Sequence, residues 1–259
     1  MITGIGFSEL LLILALVLLF FGSKELPQFI RHTATFMAKV RGYSDRMRRE
    51  LDEIANPPAP SHYKVSVLEK KKELRARYSA ARKALDDQER VRQSRAICEQ
   101  IKGTDHYQKA RAVMLYAHYG NEVQTHELIR DALAGGKRVV LPYCTGAHEL
   151  RLGEITDFDL HLTSGTYGIL EPVEERRDNF FKSDLQLVLC PGVAFDRFGA
   201  RLGHGKRYYD TFLSELKGKT PIYGLAFDCQ IHDESLPFEY HDVPMDQIFT
   251  QSGPLMGSA

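Results

Sequence analysis

The apolar run 185–190, Leu-Gln-Leu-Val-Leu-Cys, leads into a segment from Pro191 to Arg207 that holds Gly192, Gly199, Gly203, Gly205, Arg197, Arg201, Lys206 and Arg207. An amphipathic stretch, 208–216, follows, and no other part of the chain restricts its fold as strongly. A nearly unbroken apolar strand is buried on both faces, the condition of a parallel sheet covered by helices. A glycine- and cation-rich turn between such a strand and a helix collects backbone N–H groups and side-chain charge, an arrangement suited to phosphate oxygens. The segment predicts an α/β domain that binds a nucleotide or another phosphorylated compound.

The rest of the chain beyond residue 66 agrees with that class. Residues 67–83 and 86–102 have the spacing of charged amphipathic helices, the second opened by the capping residues Asp86 and Asp87. An apolar run at 112–117, a helix at about 125–133 ending on Gly135-Gly136, and a strand at 138–141 come next. After a loop-rich middle follow the strand 185–190, a helix to about 217, and strands at 221–226 and 247–250. Buried strands alternating with helices predict a mainly parallel sheet with helices on both faces and ligands at the carboxyl ends of the strands. Residues 252–259 have the composition of a disordered tail.

The N-terminal part is of a different kind. Residues 10–21 form an uninterrupted apolar run, at the lower limit for a helix spanning a bilayer. No Lys or Arg precedes it and no small-residue cleavage site follows, so it is expected to be retained. Lys24, Arg31, Lys39, Arg41, Arg46, Arg48 and Arg49 all come after it. This bias predicts a single pass with the N-terminus outside and the large domain in the cytoplasm. From Leu26 to Ile54 apolar residues recur at helical spacing among cations, predicting an amphipathic helix lying in the membrane interface. Glu9 is either a carboxyl that reaches the headgroups or one that meets a polar partner. The prolines Pro57, Pro58 and Pro60 predict an extended linker over 56–66. The expected division is therefore 1–55, 56–66, 67–251 and 252–259.

Lys plus Arg, 34, equal Asp plus Glu, 34, so no global field recruits nucleic acid. Cys98, Cys144, Cys190 and Cys229 have neither zinc-ligand nor disulfide spacing and are expected as reduced, mostly buried thiols.

Several residues have chemistry suited to a phosphate site. The turn is not a Walker A loop, whose spacing is absent. Gly203 and Gly205 would let the backbone approach an oxygen, with Lys206 as a point charge and Arg201 as a two-pronged donor. Asp210 and Asp246 offer the hard oxygens magnesium needs, or are merely helix-stabilising or solvated acids. Glu122, after the 112–117 strand, could accept two N–H bonds from a guanidine-like ring edge or serve no ligand. Lys71 and Arg75, at i and i+4, share one helix face, which could equally be a solvated charge surface.

Two resemblances sharpen these readings. Gly4 to Leu12, the apolar run, and Phe21-Gly22-Ser23-Lys24-Glu25-Leu26-Pro27 resemble the small single-span subunits of the twin-arginine protein translocase, the B-type more than the A-type. Ser23 stands where that family usually has proline. The resemblance implies a place in the inner (plasma) membrane and a contact of Glu9 with the multi-span C-type subunit.

Residues 68–250 resemble 5-formyltetrahydrofolate cyclo-ligase, also called methenyltetrahydrofolate synthetase. The resemblance rests on Lys71-Lys72-Glu73-Leu74-Arg75, Asn121-Glu122, Tyr167 to Pro172, Pro191 to Asp196, Arg201 to Asp210, and Asp242-Val243-Pro244-Met245-Asp246. It implies ATP contacts at Lys71, Arg75, Arg201, Leu202, Gly203, His204, Gly205, Lys206, Arg207, Tyr208 and Tyr209. It implies 5-formyltetrahydrofolate contacts at Glu122 and from His204 to Tyr208, and Mg2+ at Asp210 and Asp246. Lys206 and Arg201 would carry the catalytic charge stabilisation. Arg207 departs from the family, which more often has a third glycine there. The implied reaction has the N5-formyl oxygen attack the γ-phosphate, N10 close the ring, and phosphate leave to give 5,10-methenyltetrahydrofolate. A translocase subunit whose second domain binds nucleotide or a partner without catalysis is the alternative.

Overall fold

The computed structural model describes residues 60–145, 149–165 and 168–255, with side chains from residue 66 onward. The expected membrane span at 10–21, Glu9, the amphipathic helix 26–54 and Pro57-Pro58 lie outside the described residues. Among those that are described, no helix is long and apolar enough to cross a membrane.

Helix α1, Pro60–Lys83, begins inside the segment expected to be an extended linker. Proline at the first helical position loses only a donor that would have had no intrahelical partner, and its fixed φ already suits the helix. Helix α2, Asp87–Lys102, starts where the capping signal placed it: Asp86 accepts a hydrogen bond from Glu89 N. Then come α3, Asp105–Lys109, capped by Thr104; strand β1, Ala112–Met114; helix α4, His126–Ala134; and β2, Arg138–Thr145.

The expected loop-rich middle is instead two antiparallel pairs. Strand β3, Glu149–Ile155, pairs with β2 along its whole length, and β4, Leu162–Ser164, pairs with β5, Leu170–Pro172. Strand β6, Leu187–Cys190, is buried throughout. It is followed by β7, Ala194–Asp196; β8, Arg201–Leu202; α5, Tyr208–Ser214; β9, Ile222–Leu225; β10, Ile231–His232; β11, Gln247–Thr250; and β12, Gly253–Pro254. The last pairs with β11, and Leu255 N donates to Ile248 O, so the expected disordered tail is ordered up to residue 255.

The main sheet has the order β12-β11-β9-β6-β1-β2-β3. Neighbours from β11 to β2 run parallel, with antiparallel strands at both edges. Alternate residues feed two cores. Val113, Val139, Leu141, Leu187, Leu189 and Leu225 pack with Ile97 and Ile101 of α2 and with Leu128 and Ile129 of α4. On the other face Met114, Val140, Val188, Cys190 and Ile222 meet Phe212 and Leu213 of α5 together with Phe195, Val243 and Met245. Helices therefore cover both faces, as the apolar strands predicted.

Sequence order reverses between β1 and β6. The chain leaves β1 toward β2 on one side and returns to β6, then β9 and β11, on the other. Connections leaving the two strands pass to opposite faces and open a crevice at their carboxyl ends. The turn that follows β6 is itself built on a hairpin, β7 to β8, which with β10 forms a second small sheet. Asp196 fastens it: Oδ1 accepts from Phe198 N and Ala200 N, both at 2.8 Å, and Oδ2 from Leu236 N at 2.9 Å, with the residue wholly buried. Asp196→Ala should orphan these donors and cost about 3–5 kcal/mol. Urea unfolding followed by circular dichroism measures this, and a loss below about 1 kcal/mol would remove Asp196 as the fastener.

Candidate functional site

The crevice between β1 and β6 is lined from three directions. The segment after β1 brings Asn121 and Glu122, the segment after β8 brings residues 203–207, and α1 lays one face across both. Glu122 is largely enclosed. Its Oε2 accepts from Tyr119 N at 3.1 Å, and its Oε1 lies 3.7 Å from His204 Nε2. Two residues expected to meet the folate thus face each other across the crevice.

The α1 face carries more than the sequence reading gave it. Arg75 Nε donates to Gly203 O at 2.8 Å. Arg82, one helical stripe further on, is buried. It donates from Nε to Asn121 Oδ1 at 2.8 Å and from Nη1 to Gly192 O at 3.2 Å, joining the β1 and β6 sides of the crevice. The sequence reading passed over Arg82, although its spacing from Lys71, Arg75 and Tyr78 was the available signal. Burial lowers the pKa of Arg82 against the opposing charge of Glu122. Burial likewise lowers that of Arg75, opposed by Asp242, Asp210 and Glu239, which places three carboxylates around this guanidinium.

The loop glycines have a reason beyond ligand approach. A methyl group at Gly203 would come 2.9 Å from Arg201 Nη1, and one at Gly205 would come 3.3 Å from the guanidinium carbon of Arg75. Gly205 (φ +91°) and Arg207 (φ +59°) both adopt left-handed backbone. At Arg207 an L side chain is strained where glycine is not, which accounts physically for the glycine the cyclo-ligase resemblance leads one to expect. His204, Gly205, Lys206 and Arg207 are exposed along the crevice rim. The thiol of Cys144 in β2, raised by burial and Glu171, is opposed by the charge of Lys206.

Other expected residues sit elsewhere. Arg201 was expected to grip a phosphoryl group, yet its side chain is only 3% exposed and is committed to Asp210, Nη2 to Oδ1 at 2.8 Å. It also lies over the Tyr209 ring, 5.3 Å from the centroid. Leu202 packs with Leu74, Tyr78 and Val193, and its carbonyl accepts from Val193 N, so neither group faces the crevice. Tyr208 and Tyr209 are half-buried against the α5 side of the core.

Asp210 and Asp246 are not brought together. Asp246 Oδ2 accepts from Ile222 N at 2.8 Å, at the amino end of β9. Asp210 is held by Arg201, which reaches back to Pro191 O just beyond the carboxyl end of β6. Opposite ends of these four-residue strands are about 10 Å apart at about 3.3 Å per residue. The carboxylates that do share Arg75 with Asp210 are Asp242 and Glu239. Glu239, His241 and Asp242 offer ligand atoms lying within 4.8 Å of one another. Lys71 sits among them, buried, with Nζ 2.7 Å from Glu239 Oε2 and 2.8 Å from Asp242 Oδ2.

Behind the Glu122 segment, the rings of His118 and His126 lie 3.7 Å apart. His118 Nδ1 accepts from Thr125 N at 3.0 Å. Burial, helped by the charge of His126 and resisted by Glu122, pulls His118 down to about 4, and burial together with Arg130 lowers His126.

Residues 67–251 match the family described as the 5-formyltetrahydrofolate cyclo-ligase family, and residues 3–50 match the mttA/Hcf106 family. The 5-formyltetrahydrofolate cyclo-ligase of Mus musculus is 30% identical over 199 residues, covering 73% of this chain and 98% of the mouse protein. That of Escherichia coli strain K12 is 34% identical over 148 residues, covering 55% of this chain and 79% of the bacterial protein. The solution structure of Aquifex aeolicus 5,10-methenyltetrahydrofolate synthetase matches with a TM-score of 0.63 at 33% identity, over 73% of this chain and 94% of that one.

Because the folded state favours neutral His118 and His126, their contribution to stability is present above the ordinary histidine value of 6.5 and lost as pH falls toward 4. The melting temperature should decline over that interval. His126→Phe should make the decline below pH 6.5 shallower, and an unchanged slope would contradict the assignment.

Proposed function

The chain belongs to the 5-formyltetrahydrofolate cyclo-ligase family, and from that premise we propose that it converts 5-formyltetrahydrofolate to 5,10-methenyltetrahydrofolate, driven by ATP, which leaves as ADP and phosphate. The crevice between β1 and β6 is the site. The observation that carries the reading is the hydrogen bond from Arg75 to Gly203 O, which ties the cationic face of α1 to the glycine loop on the edge where Glu122 and His204 face each other.

The chemistry asks for position and charge rather than a protein nucleophile. Glu122, held by Tyr119 N, is placed to accept N–H donors of the pterin and fix the folate. His204 closes over it from the opposite side. The formyl oxygen is then directed at the γ-phosphate, where Lys206 and the left-handed residue Arg207 supply positive charge on the exposed rim. Arg75 and Lys71 serve the remaining phosphates. Arg201 is a positioning residue, since its charge is already matched by Asp210 and it shapes the start of α5. Attack of N10 on the activated carbon closes the ring and expels phosphate. The donor set also fits magnesium: Asp242 and Glu239, with Asp210 nearby, are the hard-oxygen groups that would hold it, and its chemistry is the neutralisation of phosphate charge.

The test uses the full chain purified in mild detergent. Formation of the methenyl chromophore should require both ATP and magnesium. Lys206→Ala should lower kcat by about 10²-fold or more, as loss of a transition-state cation does. Glu122→Gln should raise KM for the folate by about tenfold with little change for ATP, the pattern of a lost ground-state contact. No chromophore from the wild-type chain at high concentration would favour the non-catalytic alternative.

The match of residues 3–50 favours a second, compatible reading: a membrane-embedded export subunit, N-terminus outside, holding the ligase at the cytoplasmic face. In a strain lacking the B-type subunit, the intact chain should restore twin-arginine export and Glu9→Ala should abolish the rescue. Failure of the intact chain to rescue would reduce the segment to an anchor.

A further inference from the structure

Lys71 is buried to 6% exposure, and its ammonium touches two carboxylates from one short segment. His241 Nε2 lies 3.8 Å from Glu239 Oε2 and 3.7 Å from Asp242 Oδ1. The segment is braced from within, because Asp242 Oδ2 also accepts from Glu239 N at 2.9 Å. Two carboxylates therefore hold a lysine nitrogen between them, with the His241 imidazole against both carboxyl groups. A divalent cation bonding carboxylate oxygens at about 2.1 Å could not enter while Lys71 holds them at 2.7 and 2.8 Å. The lysine and the cation compete for one place.

We propose that Lys71 is the placeholder of the cation site: it keeps Glu239 and Asp242, beside His241, in ligand geometry, and it moves to a nucleotide phosphate when a divalent cation takes over the carboxylates. The proposal rests on the ligase reading. Its content is a linkage between the two ligands. A cation arriving alone must displace a buried ammonium that then has no anion to meet. A metal-free nucleotide arriving alone must take Lys71 from both carboxylates, leaving the enclosed Asp242 short of its cation, which is costly for a buried ion pair. Arriving together, each supplies the partner the other removes, so each favours binding of the other to the same degree. Arg75, which feels Asp242, Asp210 and Glu239 together, stays on Gly203 O and keeps the loop in place during the exchange.

The experiment titrates Mn2+ into the full chain in detergent without nucleotide, following free Mn2+ by electron paramagnetic resonance. Wild type should bind weakly. Lys71→Met should bind at least about tenfold more tightly, a difference of about 1.4 kcal/mol, while its affinity for ATP in EDTA falls. Removing the ammonium takes the cation from the enclosed Asp242 and from Glu239, so this variant should also melt lower in EDTA and recover with Mn2+, whereas the wild-type melting temperature should barely respond. Adding Glu239→Gln to Lys71→Met should abolish the gain. Equal Mn2+ affinity in wild type and Lys71→Met would overturn the proposal, as would a Lys71→Met chain that Mn2+ does not restabilise, or a gain that survives Glu239→Gln. The wild-type chromophore assay separates the two levels. A chromophore with no Mn2+ gain leaves the ligase standing and rejects the placeholder, while a gain without chromophore leaves a cation exchange site and rejects the ligase.

Discussion

Helix α1 is fixed to the rest of the domain by three cations, two of them buried, and the crevice depends on that arrangement. Lys71, Arg75 and Arg82 project from one face, and each finds oxygen: Glu239 with Asp242, Gly203 O, and Asn121 Oδ1 with Gly192 O. The apolar part of the same contact is small, essentially Leu74 and Tyr78 against Val193, Ala194, Ala200 and Leu202. Burying a leucine gains about 1.5–3 kcal/mol, and each charged hydrogen bond contributes a similar net amount. The polar contacts are therefore comparable in size with the hydrophobic contribution to this interface. A helix held partly by charge can exchange polar partners without losing its dry core.

The sheet converts this docking into a site. Because strand order reverses between β1 and β6, Glu122 and the 203–207 loop approach from opposite sides, and only an element lying across both can set their separation. Arg82 does so with two hydrogen bonds, one to each side. His118 and Thr125 brace the Glu122 segment from behind, with His118 N donating to Thr125 Oγ1 and Thr125 N to His118 Nδ1. The Glu122 segment and the glycine loop are therefore coupled through Arg82 and α1.

Much of the domain was legible before any coordinates. Residues 187–190 and 222–225, apolar at every position, could only be interior strands, and Asp86 and the pair Gly135-Gly136 marked real helix ends. What escaped notice depends on partners distant in sequence. Residues 149–155 do alternate, Glu-Leu-Arg-Leu-Gly-Glu-Ile, but the strand is an edge that exists because β2 extends beyond its apolar part to offer it seven pairings. The hairpin β7 to β8 is too short for any periodicity and is held by Asp196. Asp242 and Asp246 were indistinguishable in one motif. The start of β11 turns Asp246 to Ile222 N, and the turn before it turns Asp242 to Lys71. Burial of Arg201 was equally invisible, because an arginine beside glycines looks the same whether it faces solvent or an aspartate.

Arg207 shows how local strain and site charge are joined. Its left-handed backbone costs an L residue about 1–2 kcal/mol relative to a relaxed conformation, and it directly follows Lys206, with left-handed Gly205 on the other side. The orientation of Lys206 is therefore set by two positions where ordinary residues are disfavoured, and one of them is not glycine. In return the arginine places charge toward Glu239. Burial raises that carboxyl, while the Lys71 hydrogen bond and the charges of Lys71, His241 and Arg207 outweigh it and leave the group below its ordinary value. A glycine would relax the turn and remove one of the charges that lower the Glu239 carboxyl. Arginine thus trades backbone strain for charge beside the Glu239 carboxylate.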